Sequence, residues 1–177
     1  MQHWILFVFI GSSLTLSCQK EENISKPSYF SYNVNGATCN GEFRLEDDQN
    51  PATFNAVATI VPELGDRPET VVLTYTDYIN NRIVTCYLPA KKTGPILMTS
   101  DSDFRFFIAD NAHSCSLSTG VENTAQGVSV EVTRFDRESN TVKRMEAHFE
   151  GIMSYENIMG EIEMHTIKGD LYYGGLL

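Results

Sequence analysis

From Tyr29 to Tyr173, apolar and polar residues alternate in short runs separated by clusters of Gly, Pro, Asn and Asp. A period of two puts successive side chains on opposite faces of an extended strand, and little of the chain carries the 3.6-residue repeat of a helix. The first run, Tyr29 to Asn35, ends in Asn35-Gly36, a pair that tolerates the positive φ of a hairpin turn, and Ala37 to Leu45 returns from it. Glu46 to Pro51 breaks the chain. Strands are expected next over Thr53 to Val61, whose alanines would also fit a helix, and over Thr70 to Asp77, with Val71, Leu73 and Tyr75 on one face. A turn at Tyr78 to Asn81 leads to Arg82 to Leu88, and a loop containing Lys91 to Pro95 leads to Ile96 to Thr99 and Asp103 to Asp110. Residues 111–126 read as a polar loop with a short strand around Cys115.

The C-terminal third alternates most regularly. Val128, Val130 and Val132 precede a turn at Asp136 to Asn140, and Thr141 to Met153 sets Met145, Ala147, Phe149 and Met153 against Arg144, Glu146, His148 and Glu150. A turn at Tyr155-Glu156-Asn157, a strand from Ile158 to Ile167, a turn at Lys168-Gly169-Asp170 and a last strand at Leu171 to Tyr173 complete the pattern. It predicts one all-β domain over residues 29–177, an antiparallel β-sandwich with a closed up-and-down barrel as the alternative, one sheet face wet and the other buried.

The chain ahead of this domain is of a different kind. Trp4 to Ile10 is a run of seven apolar residues, extendable to Leu16, followed by Ser17, Cys18 and a polar string. Such a run matches the core of a signal peptide and is shorter than the roughly 20 residues of a membrane-spanning helix. Leu14 to Cys18 resembles a bacterial lipobox, although Thr15 and Leu16 stand in the reverse of the usual order and no Lys or Arg precedes the apolar run. The resemblance implies cleavage after residue 17 and lipidation of Cys18. Lys20-Glu21-Glu22 resembles the short export tag behind the lipidated Cys of surface lipoproteins in the Bacteroidota. Residues 18–28 then form a tether, too polar to fold, whose extended length of about 33 Å would lift the domain clear of lipid headgroups. Two or three acyl chains, at about 0.8 kcal/mol per buried methylene, hold such a protein to a membrane without embedding it. The expected location is the outer membrane, with the domain facing the cell exterior.

Charge narrows the partners. The chain has 13 basic and 23 acidic side chains, a net charge of −10 and a pI near 4.8. Such a surface repels phosphate backbones, so nucleic acid is excluded and a glycan, small molecule or protein is expected as ligand. With Cys18 lipidated, Cys39, Cys86 and Cys115 remain, an odd number for an oxidising compartment. One disulfide and one inert core thiol are expected, with all three pairings open. No pair has CxxC spacing, and His113, two residues before Cys115, would point to the opposite face of a strand.

Four segments carry a further resemblance: Phe30-x-x-x-Val34-Asn35-Gly36, the run from Gly127 to Asp136, Met145-x-Ala147-x-Phe149-x-Gly151, and Thr166 to Leu171. Together they resemble a group of small Bacteroidota lipoproteins of unknown function. Here Ala147-His148-Phe149 stands where that group has Gly-Thr-Phe, and its usual Trp after the first hairpin is replaced near Cys39. The resemblance implies an all-β lipoprotein and carries over no catalytic residue.

Candidate chemistry is sparse. Glu146, His148 and Glu150 share one strand face, Glu161, Glu163 and His165 the matching face of the next strand, and a turn at 155–157 would bring the two histidines within diagonal reach for zinc or copper. A solvated sheet face accounts for the same residues, and no cofactor is expected. Asp47-Asp48 and Asp101-Ser102-Asp103 offer oxygen ligands without EF-hand spacing, which suits turn duty. Tyr29, Phe30, Tyr32, Tyr172 and Tyr173 would make either an aromatic platform for glycan or core packing. No nucleophile elbow, zinc-helix motif or phosphate loop is present. The expected role is therefore non-enzymatic binding, with a hydrolase using dispersed carboxylates as the alternative.

Overall fold

In the computed structural model, which describes residues 26–48, 50–112, 115–120, 126–157 and 159–175, the alternating segments become eleven strands. They are β1 (Tyr29–Asn35), β2 (Asn40–Glu46), β3 (Phe54–Val61), β4 (Thr70–Asp77), β5 (Arg82–Pro89), β6 (Ile96–Met98), β7 (Arg105–Asp110), β8 (Cys115–Thr119), β9 (Val128–Glu138), β10 (Thr141–Glu156) and β11 (Ile162–Gly174). All strands pair antiparallel in one sheet, ordered β2-β1-β11-β10-β8-β7-β5-β4-β3, with β9 and β6 branching from β10.

The branch explains the shape. One edge of β10 pairs with β11 along most of its length; the other pairs first with β9, from Thr141 to Gly151, and then with β8 at Met153 and Ser154. β10 thus belongs to two layers at once. Register shifts in the β9–β10 ladder between Val142 and Arg144 and between Glu146 and Ala147 add the local twist that bulges bring. The sheet curls until β3 lies against β10, with Ala58 beside Tyr173 of β11, and β2 lies against β4. The two expected arrangements meet in this fold, which is all-β, layered like a sandwich and nearly closed as a barrel.

Aromatic rings fill the interior. Phe30 lies 5.0 Å from Phe149, 5.7 Å from Tyr75 and 6.2 Å from Phe106, measured between ring centroids. Each is almost wholly buried, and a ring of this size contributes about 3 kcal/mol or more through burial and close packing. The Tyr75 hydroxyl, 0 % exposed, donates to the Tyr172 carbonyl at 3.1 Å, tying β4 to β11 across the core.

Several expected boundaries move. Lys168-Gly169-Asp170 is not a turn: β11 runs straight through it, paired with β1 and β10. The glycine is there for close approach, since a Cβ at Gly169 would lie 2.1 Å from the Ser31 carbonyl oxygen and 2.5 Å from the Phe149 ring. The turn expected from Asp136 shrinks to Ser139-Asn140, because β9 stays paired to Glu138. The turn expected at Tyr155-Glu156-Asn157 begins later, with β10 reaching Glu156 and the Asn157 side-chain oxygen accepting from the N–H groups of Met159 and Glu161. Thr53 to Val61, ambiguous in sequence, forms β3 because Phe54, Ala56, Ala58 and Ile60 face inward along the whole length of β4. The Asn35-Gly36 hairpin has a four-residue connection, 36–39, so β2 starts at Asn40 instead of Ala37.

Candidate functional site

The histidine pair expected to hold a metal is not assembled. His148 stands opposite Asp170, whereas His165 stands opposite Met153, five positions further along the ladder or about 17 Å. The two also face opposite ways. His148 is exposed and hydrogen-bonds Asp170; His165 is fully buried, its Nε2 accepting the Cys39 N–H at 3.1 Å. The turn lies later than expected, and a shift of one residue exchanges the faces of a strand. Of the carboxylates, Glu163 accepts from the Thr38 hydroxyl at 2.7 Å and Glu161 from the Asn157 amide at 2.9 Å. Glu146 and Glu150 lie opposite Tyr172 and Lys168. Among the described residues, no three His, Cys, Asp or Glu side chains converge as a metal site.

The other candidates resolve into structural duties. Asp48 accepts from the Thr53 hydroxyl and the Asn50 N–H, and these bonds hold its carboxyl below the usual range. Asp47 is likewise engaged. The aromatic set splits: Phe30 and Tyr32 enter the core, while Tyr29 and the buried Tyr172 stack apart from the core cluster and are capped by the Lys26 ammonium, 4.7 Å from both ring centres. Tyr173 is half-buried at the β3 seam. Cys39 and Cys115 form the disulfide, joining the β1–β2 loop to β8, and the buried Cys86 thiol is pushed well up by desolvation. Cys18, Lys20, Glu21 and Glu22, and also His113, lie outside the described residues.

What the fold does assemble is a groove at one end of the molecule. Its walls are the β3–β4 loop, residues 62–69, and the β6–β7 loop, residues 99–104, with the outer faces of β4, β5 and β7 as floor. Leu64 and Arg67 exchange backbone hydrogen bonds of 3.2 Å and hold the first loop as a stiff hairpin tip. In the second, the Ser102 N–H reaches the Thr99 carbonyl at 3.1 Å and the Ser102 hydroxyl accepts from Phe104 N–H at 3.2 Å. The cleft between them has a volume of about 530 Å³. Apolar walls come from Val61, Pro62, Leu64 and Pro68, donors from Arg67 and Arg105, and acceptors from Glu63, Asp101 and Asp103. The Arg105 guanidinium rests 5.1 Å from the centre of the Tyr87 ring.

The two arginines distinguish this groove. Arg44, Arg82, Arg134 and Arg137 all form ion pairs; among the described residues Arg67, Arg105 and Arg144 form none, and the first two of these lie in the groove. In a chain with an excess of carboxylates, unpaired guanidiniums beside open acceptors can bind neighbouring hydroxyl, amide or carboxylate groups of a ligand. Sequence reasoning passed over Arg67, Tyr87 and Arg105. The available signal was Arg105, a charge directly ahead of the apolar run Phe-Phe-Ile-Ala. The Arg82–Asp110 pair, 2.7 Å apart and under the Phe43 ring, is by contrast mostly shielded from solvent.

No protein family, curated protein or solved structure matches this chain.

Proposed function

We propose that this chain is a lipoprotein, anchored through Cys18 to the outer membrane with its domain facing the cell exterior, and that the domain binds a hydroxyl-rich ligand such as a glycan without transforming it. The observation that carries the binding role is the groove with its two unpaired arginines. Donors and acceptors side by side suit vicinal hydroxyls, and the apolar walls suit the C–H faces of a sugar ring. The ring-filled interior supports binding over catalysis, since it leaves the groove open to water. Export is supported by the Cys39–Cys115 disulfide, which persists in oxidising compartments. Cys39 and Cys115 are joined and Cys86 is buried, so none of these three offers an exposed thiol for a lipid.

Fatty-acid labelling of cells expressing the parent chain and Cys18→Ser tests the anchor: label on the parent alone is expected, and label on neither overturns it. Screening the Cys18→Ser chain against an oligosaccharide array tests the groove. Arg105→Ala is expected to weaken binding about tenfold, the scale of one charge-assisted hydrogen bond. Glu63, Asp101 and Asp103 keep a hydrolase as the second reading, and cleavage of a bound oligosaccharide that stops with Asp103→Asn would favour it.

A further inference from the structure

The outward-facing residues of β3, β4, β5, β7 and β8 form rows across the sheet. One row is Asn55, Thr76, Ile83, Ala109 and Ser116; the next is Val57, Thr74, Thr85, Phe107 and Ser118. A third, Thr59, Val72, Tyr87 and Arg105, borders the groove. In a chain of net charge −10, Arg105 is the one charged residue in these three rows. Val57, Ile83 and Phe107 stand exposed there, Phe107 at 45 %.

We infer that two copies of this chain pair through this face. Charge selects the occupant: carboxylates crowd the opposite face, and this is the surface on which two acidic molecules can meet without bringing them together. Size permits it. Five strands about 4.8 Å apart and about 24 Å long cover roughly 550 Å² per copy, or roughly 1,100 Å² in a pair, above the ~1,000 Å² that a specific interface needs. Shape is self-complementary in the way a two-fold contact requires, because Phe107 projects beside a recess of about 440 Å³ lined by Thr85, Tyr87, Ser118 and Thr119. Edge-to-edge pairing through β3 is disfavoured, since β3 already lies against β10 and Ala58 sits beside Tyr173. The pairing does not depend on the anchor, and it borders the groove, with which the recess shares Tyr87 and Arg105.

Sedimentation equilibrium of the full chain carrying Cys18→Ser tests this with lipid removed from the question. The expected mass is twice the 19.9 kDa of the chain, with association strengthening as salt screens the mutual repulsion. Phe107→Glu, and independently Thr85→Glu, are expected to weaken association at least tenfold while the Cys39–Cys115 disulfide still forms; Glu150→Lys on the opposite face is expected to leave the dimer intact. A monomeric parent, or a dimer that survives both glutamate substitutions, overturns the inference.

Discussion

The two outer faces of this sheet are built on the same strand geometry and carry opposite chemistry. On β1, β2, β10 and β11, outward positions hold Glu42, Arg44, Glu46, Glu146, His148, Glu150, Lys168 and Asp170, several of them paired across or along strands. On β3, β4, β5, β7 and β8 the equivalent positions hold Val, Ile, Thr, Ser and aromatic residues with Arg105 alone charged. The inward faces do not differ: both layers contribute apolar side chains to one ring-filled core. Burial alone therefore does not explain the contrast. A fold needs one dry face per layer, and either kind of outer face would satisfy it. Neutrality outside is extra, and it lies next to the groove.

The comparison is sharpest where links cross between the layers, and cutting them asks whether the two halves are one cooperative unit. The largest effect is expected from the disulfide. It closes a loop with a sequence separation of 76. Replacing Cys39 and Cys115 by Ser should cost about 4.5 kcal/mol in urea unfolding by the chain-entropy relation. Two separate transitions in the double variant would mean that the layers fold independently.

Met153 comes next. It is 0 % exposed, at the point where β10 passes from β9 to β8. Met153→Ala should cost about 3 kcal/mol and lower the denaturation midpoint for both layers together. A loss confined to probes in one layer would break the picture of a shared core.

The smallest effect tests the hydrogen bond between β4 and β11. Tyr75→Phe should cost about 1 kcal/mol near neutral pH. Burial holds the Tyr75 phenol well above its ordinary 10.0 and the Cys86 thiol well above 9.0. Because the folded values are raised, their contribution is whole below the ordinary values and is lost as pH rises above them, when the unfolded chain alone ionises. The parent chain should lose stability progressively above pH 9, and Tyr75→Phe should flatten that loss above pH 10. An unchanged alkaline slope would show that this phenol does not govern it.

Much of the sheet was legible because a buried face imposes a period of two. β1 and β4 fall where the alternation places them, Tyr29–Asn35 and Thr70–Asp77. The failures share a cause. Gly169 and the charges beside it read locally as a turn, yet the glycine answers to Ser31 and Phe149, far away in sequence. His148 and His165 looked like neighbours because a turn was placed a few residues early, and register does not forgive such a shift. The groove was illegible for the same reason: Arg67, Tyr87 and Arg105 come from three separate segments, and none has a local signature.

What the sequence determined by itself is the class of fold, the charge of the surface and the odd cysteine left to the domain, because alternation, composition and count are local or additive properties. What the tertiary structure alone decided is the Cys39–Cys115 pairing, the separation of the two histidines, the groove and the neutral face. Each depends on which strand lies beside which, and strand order is set by contacts between residues distant in the chain.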